Sequence, residues 1–345
     1  ERPVIIGGSG VWWSDGAAAF QAFVEATGIT FYTTPISRGL VPEDHALAFL
    51  NARTKAFTEA DVVLAVGTRF NWVIQFGRPP RFAADLKVIH VDVNPTQLGH
   101  NRAVDVPIAG DARAVLEQLR AEAEGKIDPR RYVNWTGKLR TLDAEKSAEM
   151  DKAMSSDAAP IHPLRLCKEV RDFLRRDAIL VVDGQEILNY GRQAIPTFMP
   201  GHRLNSGAFG CMGVGLPFGV GAKVAKPDAQ VVVLHGDGSY GLNSMEIDTA
   251  VRHKIPVLVV ISNNGGWTAD APWTRPLPKP GRYLGHTRYD KVAQELGAHG
   301  EYVEKPHEIR PALERAWASG KPAVVNVITD FKARAQTVRF SAYTT

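Results

Sequence analysis

The chain has 345 residues, 44% hydrophobic and 23% charged, a balance typical of a soluble globular protein long enough for two ordinary domains. Its longest apolar runs fall far short of the roughly 20 residues that a membrane-spanning helix needs, and no secretory signal precedes the first strand pattern. A net charge of +4 without a dense Lys/Arg block does not indicate nucleic-acid binding but suits an anionic small ligand.

Cysteine usage is low. Only Cys167 and Cys211 occur, so a disulfide framework is not expected. Such usage is typical of a reducing compartment, and the predicted location is the cytoplasm. Together with the charge and hydropathy patterns, this leaves neither a membrane nor a nucleic acid among the expected partners.

The first part of the chain alternates β-branched runs with amphipathic stretches. The runs predict strands at residues 3–8, 29–35, 61–67, 87–93 and 106–109, and the stretches predict helices at 16–27 and 112–122. Strands that alternate with helices need crossover connections. The pattern therefore predicts an α/β domain, a doubly wound parallel sheet of Rossmann-like type, over residues 1–125.

The second part repeats this architecture after residues 126–160, a charged and weakly periodic segment that predicts a linker with some helix in it. A second doubly wound domain is predicted over residues 161–330. Its helices are expected at 163–175, 244–254, 289–296 and 307–319, and its strands at 178–183, 230–234, 257–262 and 323–329. Residues 331–345 predict a C-terminal tail. Its basic and aromatic residues suit a lid over an adenine and its phosphates, and a disordered end is the alternative.

The strongest local signal follows the apolar run 231–234. Its sequence is His235-Gly236-Asp237-Gly238-Ser239, and one helix and one strand later comes Asn263-Asn264-Gly265-Gly266. Both lie at predicted carboxyl ends of strands, where parallel sheets bind ligands. The glycines let the backbone approach a phosphate, and the side-chain oxygens of Asp237 and Asn264 suit Mg²⁺ that bridges phosphate oxygens. Ordinary turns also use Gly, Asp and Asn, but the matched pair favours a metal–diphosphate site.

This Gly-Asp-Gly, with an Asn 27 residues after its Asp, resembles the fingerprint of thiamine-diphosphate enzymes. The resemblance implies that Asp237, Asn264 and the carbonyl group of Gly266 bind Mg²⁺, and that Gly236, Gly238 and Ser239 bind the diphosphate. Gly210-Cys211-Met212-Gly213 resembles the segment that forces the bent conformation of the cofactor. Met212 is the expected wedge and the Gly210 carbonyl is expected to face the aminopyrimidine. Gap-filling in the core is the alternative for Met212.

A third segment, Asp183-Gly184-Gln185-Glu186, ends another predicted strand. By the same resemblance Gly184 and Gln185 contact the diphosphate. A carboxylate is repelled by a diphosphate, so Glu186 is expected either to face the substrate or to be held by Arg192.

Two segments of the first domain narrow the resemblance to one family within this class of enzymes. Residues 61–72, which end in Arg69-Phe70-Asn71-Trp72, and residues 39–45 resemble the 2-hydroxyacyl-CoA lyase and oxalyl-CoA decarboxylase family. In that family the middle domain holds ADP or part of CoA. Asp92 suits a ribose, Arg69 suits a phosphate, and Gly110 and Asp111 lie at the same predicted rim. A surface ion pair between Arg69 and Asp92 is the alternative.

The resemblance also implies partners. Thiamine diphosphate works as a carbanion carrier, and in the family a Glu on an N-terminal pyrimidine-binding domain activates it. No segment of this chain resembles that domain, so it is expected from the same polypeptide or from a partner subunit. A homo-oligomer, dimer or tetramer, is expected, and the chain on its own is expected to be inactive.

The substrate is expected near Trp267, which follows the metal-binding segment where the decarboxylase-like relatives carry Ile-Tyr. An indole there favours a small, branched substrate, and packing in a pocket wall is its alternative role. The expected reaction is cleavage of a 2-hydroxyacyl-CoA, specifically 2-hydroxyisobutyryl-CoA, to formyl-CoA and acetone. Oxalyl-CoA decarboxylase and acetolactate synthase are the enzymatic alternatives. A non-catalytic, nucleotide-binding regulatory subunit is the alternative of another class.

Overall fold

The computed structural model describes residues 1–267 and 281–335. It divides into two compact units: unit 1 comprises Glu1–Glu149 and Thr197–Arg203, and unit 2 comprises the remaining described residues. Of the predicted tail, Lys332 and Arg334 lie within the described residues, whereas Arg339, Phe340 and Tyr343 lie outside them.

Unit 1 is built on a parallel sheet. Its strands are β1 (Pro3–Gly7), β2 (Phe31–Thr33), β3 (Val62–Val66), β4 (Lys87–Asp92) and β5 (Val106–Ala109). Its helices are α1 (Ser9–Trp13), α2 (Ala17–Thr27), α3 (Arg53–Glu59), α4 (Ala112–Ala123) and α5 (Val133–Met154), and the unit boundary falls within α5. The strand order is β2-β1-β3-β4-β5, and every neighbouring pair is parallel.

Unit 2 repeats the design with a larger sheet. Its strands are β6 (Ile179–Asp183), β7 (Arg203–Leu204, whose first residue belongs to unit 1), β8 (Val231–Gly236), β9 (Leu258–Asn263), β10 (His299–Val303) and β11 (Ala323–Ile328). Its helices are α6 (Pro163–Phe173), α7 (Glu186–Ala194), α8 (Gly215–Ala225), α9 (Asp237–Asn243), α10 (Glu246–Arg252), α11 (Tyr289–Glu295) and α12 (Ile309–Ala318). The order is β10-β11-β9-β8-β6-β7, and β10, β11, β9, β8 and β6 pair in parallel.

Alternate strand residues of unit 2 enter different cores, because successive side chains of a strand point to opposite faces of the sheet. Val232 and Leu234 pack in one cluster with side chains of α6, α7 and α12. Val231 and Val233 pack in a second cluster with side chains of α8, α10 and α11. Helices therefore cover both faces, as expected for strands that are apolar throughout. The prediction of two parallel-sheet α/β domains is confirmed.

The sequence pattern missed several elements. Helices α1, α3, α7 and α8 and strands β7 and β10 were not predicted. Strand β10 has the sequence His-Gly-Glu-Tyr-Val and is half-buried along most of its length, so it lacks the apolar run that marks the central strands. The segment after β8 also differs, because Asp237–Asn243 is a helix rather than a loop. Among the described helices, none combines the length and the apolar character needed to cross a membrane.

A buried ion pair organises the loop after β2 in unit 1. Arg38 Nε donates to Glu43 Oε1 at 2.7 Å, and a second guanidinium nitrogen of Arg38 pairs with Glu43 Oε2. The side chains are only 7% and 2% exposed. Glu43 Oε2 also accepts the backbone N–H of Thr197 at 2.7 Å, and the backbone N–H of Glu43 donates to the Thr197 carbonyl oxygen at 3.0 Å. Glu43 thus fixes the separate segment Thr197–Arg203 to unit 1.

Replacing Glu43 alone should destabilise the protein strongly. In Glu43→Leu the Arg38 guanidinium stays buried without its carboxylate, which should lower the free energy of unfolding by about 3–5 kcal/mol. The double variant Arg38→Met/Glu43→Leu should recover most of the loss, and Glu122→Leu, which breaks an exposed pair with Lys126, should cause no measurable loss. Urea denaturation followed by circular dichroism measures all three variants. Equal losses for the single and double variants would contradict the assignment.

Candidate functional site

The polar residues predicted from sequence meet at one edge of the unit 2 sheet. Strand β8 pairs in parallel with β6 on one side and with β9 on the other, with Asp183 opposite His235 and Gly236 opposite Ser262. The carboxyl ends of all three strands therefore open at the same edge. A pocket lies there, lined by Pro163, Gly184, Gln185, Glu186, Ile187, Met212, Gly236, Asp237, Gly238, Ser239, Ser262, Asn264, Gly266, Trp267 and Ala333.

The Gly236–Ser239 turn begins helix α9. Gly236 is extended, with φ −80° and ψ 155°, and Asp237 is the first helical residue. An acidic side chain in the first turn is favourable there, because the helix dipole places partial positive charge at its N-terminus. Gly184 approaches this turn closely: a methyl group on it would lie 3.2 Å from the backbone nitrogen of Gly236, and its φ of +117° requires glycine.

Asp237 carries the least compensated charge of the pocket. Its side chain is buried, and Oδ1 accepts the backbone N–H of Gly238 at 2.9 Å. Oδ2 is buried without a hydrogen-bond partner among the described residues. Burial raises the pKa of Asp237 to about 6, although the hydrogen bond from Gly238 and the nearby backbone N–H groups of Gly265 and Gly266 oppose that rise. A buried acceptor with a free lone pair and a negative charge needs a cation or a proton.

The Asn264–Gly266 loop turns into a short antiparallel ribbon. The N–H of Trp267 donates to the Arg282 carbonyl oxygen, and the N–H of Leu284 donates to the Gly265 carbonyl oxygen, both at 2.8 Å. Gly266 faces Tyr283 as the non-hydrogen-bonded pair of this ribbon, so its own carbonyl group points away from the partner strand. Its N–H donates to Asn264 Oδ1 at 3.2 Å. The sequence pattern did not predict this ribbon.

The oxygen atoms of these residues fit a magnesium ion as its ligands. Asp237 Oδ2, the Asn264 amide oxygen and the Gly266 carbonyl oxygen are hard oxygen ligands of the kind Mg²⁺ prefers. The described residues contain no cluster of three His, Cys, Asp or Glu side chains able to hold a metal. A cation at Asp237 would therefore need further oxygens from a bound ligand, as Mg²⁺ usually takes from phosphates.

The indole of Trp267 lies over the Gly-Asp-Gly turn. A methyl group on Gly238 would lie 3.1 Å from two carbons of the indole ring, so the ring packs against the Cα atom of Gly238. Trp267 is half-buried and lines the pocket. Only glycine at position 238 accommodates both the turn and this ring without a shift.

The loop before α8 contributes Met212 but not Gly210 to the pocket. Met212 lines the pocket and is 37% exposed, whereas Gly210 is exposed and lies outside the lining. Asn243 holds the loop by donating its side-chain amide to the Gly213 carbonyl oxygen at 2.8 Å. Gly213, with φ +90°, packs so tightly on Leu242 and Asn243 that an added methyl would lie 2.9 Å from each.

Glu186 is the first residue of α7 and lines the pocket. Its Oε2 accepts the backbone N–H of Ala335 at 2.8 Å. Arg192, which was expected to be an alternative partner, donates to Asn189 Oδ1 at 2.9 Å. The carboxylate of Glu186 thus ties the start of the C-terminal tail to the pocket wall, where Ala333 also lies.

Two buried residues beneath the pocket were not among the predicted site residues. Asp183 accepts the N–H groups of Gly184 and Gly215 at 2.6 and 2.8 Å, which ties the start of α8 to the end of β6. Burial raises the pKa of Asp183. His235 lies one residue before the Gly-Asp-Gly turn, and complete burial lowers its pKa to about 3, so the ring is neutral. An Asp or His at the end of an apolar strand is the only sequence signal either residue offers.

The nucleotide residues predicted in unit 1 lie at the carboxyl ends of neighbouring strands. Asp92 ends β4, and its carbonyl oxygen accepts the N–H of Gly110 at 3.1 Å just beyond β5. Arg69 follows β3, is exposed, and forms no ion pair with Asp92. Asp92 Oδ1 accepts the N–H of Asn94, and Asp111 caps α4 by accepting the N–H of Ala114 at 3.0 Å. Arg69 and Asp92 retain free donor and acceptor capacity, whereas Asp111 has a structural role.

Comparisons with known proteins identify related chains. Residues 1–119 match the family model "Thiamine pyrophosphate enzyme, central domain", and residues 188–327 match "Thiamine pyrophosphate enzyme, C-terminal TPP binding domain". The chain is 40% identical over 339 residues to the "Acetolactate synthase large subunit IlvG" of Mycobacterium tuberculosis, covering 96% of this chain and 60% of that protein.

Two relatives with other names are nearly as similar. A "2-hydroxyacyl-CoA lyase" of Oryza sativa subsp. japonica is 34% identical over 354 residues, 98% of this chain and 61% of the relative. An "Oxalyl-CoA decarboxylase" of Escherichia coli (strain K12) is 33% identical over 335 residues, 96% of this chain and 59% of the relative. The chain thus spans about 60% of the length of the curated relatives it matches.

Neutralising Asp237 should stabilise the metal-free protein. The folded-state pKa of about 6 lies above the ordinary value of 3.8, so ionisation of Asp237 costs stability progressively as pH rises from about 4 to above 6. At pH 7.5 without Mg²⁺, Asp237→Asn should raise the free energy of unfolding by about 1–3 kcal/mol, and at pH 4 the gain should vanish. Denaturation at both pH values measures the difference. An exposed control, Asp228→Asn, should show no such pH-dependent gain, and an equal gain in the control would refute the assignment.

Proposed function

This chain belongs to the thiamine pyrophosphate enzyme family, of which it carries the central and C-terminal domains, and we propose that it forms part of a thiamine-diphosphate-dependent carbon–carbon lyase acting on a short 2-hydroxyacyl-CoA. One observation carries the cofactor assignment. Asp237 Oδ2 is a buried carboxylate oxygen without a hydrogen-bond partner in the part of the chain that the structure describes, at the shared edge of β6, β8 and β9. A metal-bridged diphosphate is the ligand that would satisfy it.

The residues around Asp237 have distinct proposed roles. Asp237, Asn264 and the Gly266 carbonyl group would hold Mg²⁺. Gly184, Gln185, Gly236, Gly238 and Ser239 would bind the diphosphate, since all of them line the same pocket. Met212, which also lines the pocket, would support the bent conformation of the cofactor. For Gly210 the support is weaker, because it lies outside the pocket lining.

The other half of the cofactor would need a further domain. We propose an N-terminal pyrimidine-binding domain, from the same polypeptide or from a partner subunit in a homo-oligomer. Large apolar side chains are exposed beside the pocket: Phe209 is 95% exposed, and Met212, Leu242 and Met245 are also solvent-accessible. Exposed apolar groups in such a set are typical of a surface that another domain covers.

Bound thiamine diphosphate would supply the electron sink for breaking a carbon–carbon bond next to a carbonyl group. The chain's own contribution is to position the substrate. Trp267 narrows the pocket over Gly238 and would favour a small, branched acyl group such as that of 2-hydroxyisobutyryl-CoA. Among the described lining residues Glu186 and Asp237 carry the carboxylates, so Glu186 is our candidate to face the substrate hydroxyl group.

Acetolactate synthase is the second candidate, favoured by the 40% identity to the Mycobacterium tuberculosis protein of that name. Oxalyl-CoA decarboxylase is the third, at 33% identity. The C-terminal segment bears on the choice, because Ala333 lines the pocket and Glu186 accepts the backbone N–H of Ala335. The lid predicted from the sequence would serve a CoA-type substrate, which a synthase acting on small 2-keto acids would not need, and residues 336–345 of that lid lie outside the described residues.

Unit 1 would bind ADP or the nucleotide part of CoA. The support is the placement of Arg69, Asp92 and Gly110 beyond the carboxyl ends of β3, β4 and β5. Asp92 is buried and ends its strand, as expected for a ribose acceptor, and Arg69 is exposed and available to a phosphate. Asp111 would act through its cap on α4, which shapes the rim.

Assays of the three candidate reactions would identify the activity. The complete polypeptide, loaded with thiamine diphosphate and Mg²⁺, should condense formyl-CoA with acetone to give 2-hydroxyisobutyryl-CoA, detected by mass spectrometry. Release of carbon dioxide from oxalyl-CoA, or formation of acetolactate from pyruvate, would contradict the proposed lyase activity if the condensation did not occur. Asp237→Ala should lose cofactor retention and all three activities. Nucleotide binding without any cofactor binding by the wild-type protein would instead favour a regulatory subunit.

Loss of the Arg69 guanidinium should weaken nucleotide binding. Arg69→Met removes a charge-assisted contact to a phosphate and should raise the dissociation constant for ADP about tenfold or more by calorimetry, with adenosine affected much less. The matched control Arg130→Met removes an exposed arginine paired with Asp128, away from the rim. Equal effects on ADP and adenosine, or an effect of the control as large as that of Arg69→Met, would contradict the phosphate contact.

A further inference from the structure

A buried histidine lies directly beneath the turn that faces the diphosphate pocket. His235 is 1% exposed, and its Nδ1 lies 3.0 Å from Oγ of Ser239. Ser239 Oγ also lies 3.0 Å from the Gly236 carbonyl oxygen, and Ser239 lines the pocket. The histidine ring, the hydroxyl group and the pocket wall therefore form one continuous chain of polar contacts.

The tautomer of the neutral ring decides what the hydroxyl group can do. If Nδ1 carries the hydrogen, it donates to Ser239 Oγ, and the hydroxyl hydrogen is left for the Gly236 carbonyl oxygen or for a ligand. If Nε2 carries the hydrogen, Nδ1 accepts the hydroxyl hydrogen. Ser239 would then present only lone pairs to the pocket, and lone pairs repel phosphate oxygens.

The surroundings of the ring favour the hydrogen on Nδ1. Nε2 is buried and has no hydrogen-bond partner among the described residues. It faces the Cα atom of Gly215 so closely that a methyl group there would lie 2.5 Å from it. An N–H at Nε2 would have no acceptor among the described residues and its hydrogen would crowd the Cα atom of Gly215, whereas an unprotonated Nε2 needs no space for a hydrogen. On the other side Asp183 Oδ2 lies 3.9 Å from Nδ1, where its negative charge favours an N–H.

We propose that His235 is a positioning residue for the diphosphate: its Nδ1–H holds Ser239 Oγ so that the hydroxyl hydrogen is directed to a phosphate oxygen. On binding, the hydroxyl group exchanges the Gly236 carbonyl oxygen for the ligand without reorienting its oxygen. The close packing of Gly215 on Nε2 enforces this arrangement. The inference rests on the proposed diphosphate site but concerns a residue that does not itself reach the ligand.

The tautomer is directly measurable in the wild-type protein. In ¹⁵N-labelled full-length protein, long-range ¹H–¹⁵N correlation spectra distinguish a protonated from an unprotonated ring nitrogen. The His235 signals, assigned by their loss in His235→Asn, should show a protonated Nδ1 and an unprotonated Nε2. The reverse pattern would overturn the inference whether or not any ligand binds.

Binding of inorganic pyrophosphate with Mg²⁺, measured by calorimetry on the full-length protein, tests the link to Ser239. The amide nitrogen of Asn lies near the position of Nδ1, whereas that of Gln lies near the position of Nε2. His235→Asn should therefore keep the affinity within about threefold, and His235→Gln and His235→Leu should weaken binding about tenfold. The surface control His253→Asn should change nothing.

A double-variant cycle separates positioning from a general structural effect. Ser239→Ala should weaken binding about tenfold, and adding His235→Leu should weaken it no further, because the histidine acts through the hydroxyl group. Additive losses, or wild-type affinity in His235→Leu, would overturn the inference while leaving the diphosphate site intact. If the wild-type protein does not bind pyrophosphate with Mg²⁺, the diphosphate assignment itself fails, and the positioning role fails with it.

Discussion

Parallel pairing of β6, β8 and β9 is the constraint on which the candidate site depends. Parallel strands of one sheet end at the same edge, so three segments far apart in sequence open together into one pocket. The strands are buried on both faces, which leaves their carboxyl ends as the place where polar side chains can reach solvent. The register of β8 and β9 determines which residues come together. Gly236 lies opposite Ser262, so the residues that follow them in sequence open into the same pocket.

That constraint explains why much of the site could be predicted from sequence. The apolar runs identified β6, β8 and β9, and Gly, Asp and Asn directly after them identified the three segments that line the pocket. Knowing that the strands are parallel and neighbouring was enough to bring Asp237 and Asn264 together. Gly184 and Gly266 have positive φ values, a local backbone property that a glycine in the sequence indicates.

The parts that could not be predicted depend on contacts between distant segments. The hydrogen bond from Ala335 to Glu186 was not predicted, because it joins residues that only the folded chain brings together. The ribbon formed by residues 265–267 and 282–284 has no alternation of apolar and polar residues that would predict a strand. Its pairing depends instead on the turn of the backbone at Gly265 and Gly266. Asp111 follows a predicted strand, and its cap on α4 was not predicted, because the cap depends on where the helix begins.

Three buried titratable residues of the site, Asp237, Asp183 and His235, differ in how their charge is compensated. Asp237 Oδ2 is buried without a hydrogen-bond partner among residues 1–267 and 281–335, which makes the pocket unfavourable when empty and receptive to a cation. Asp183, one strand away, is equally buried but is satisfied by backbone N–H groups at the start of α8, so its charge shapes the loop instead of attracting a metal. His235 between them is neutral and contributes only the direction of a hydrogen bond. A metal-bridged dianion fits this division, because its cation meets the unsatisfied carboxylate while its oxygens meet oriented donors.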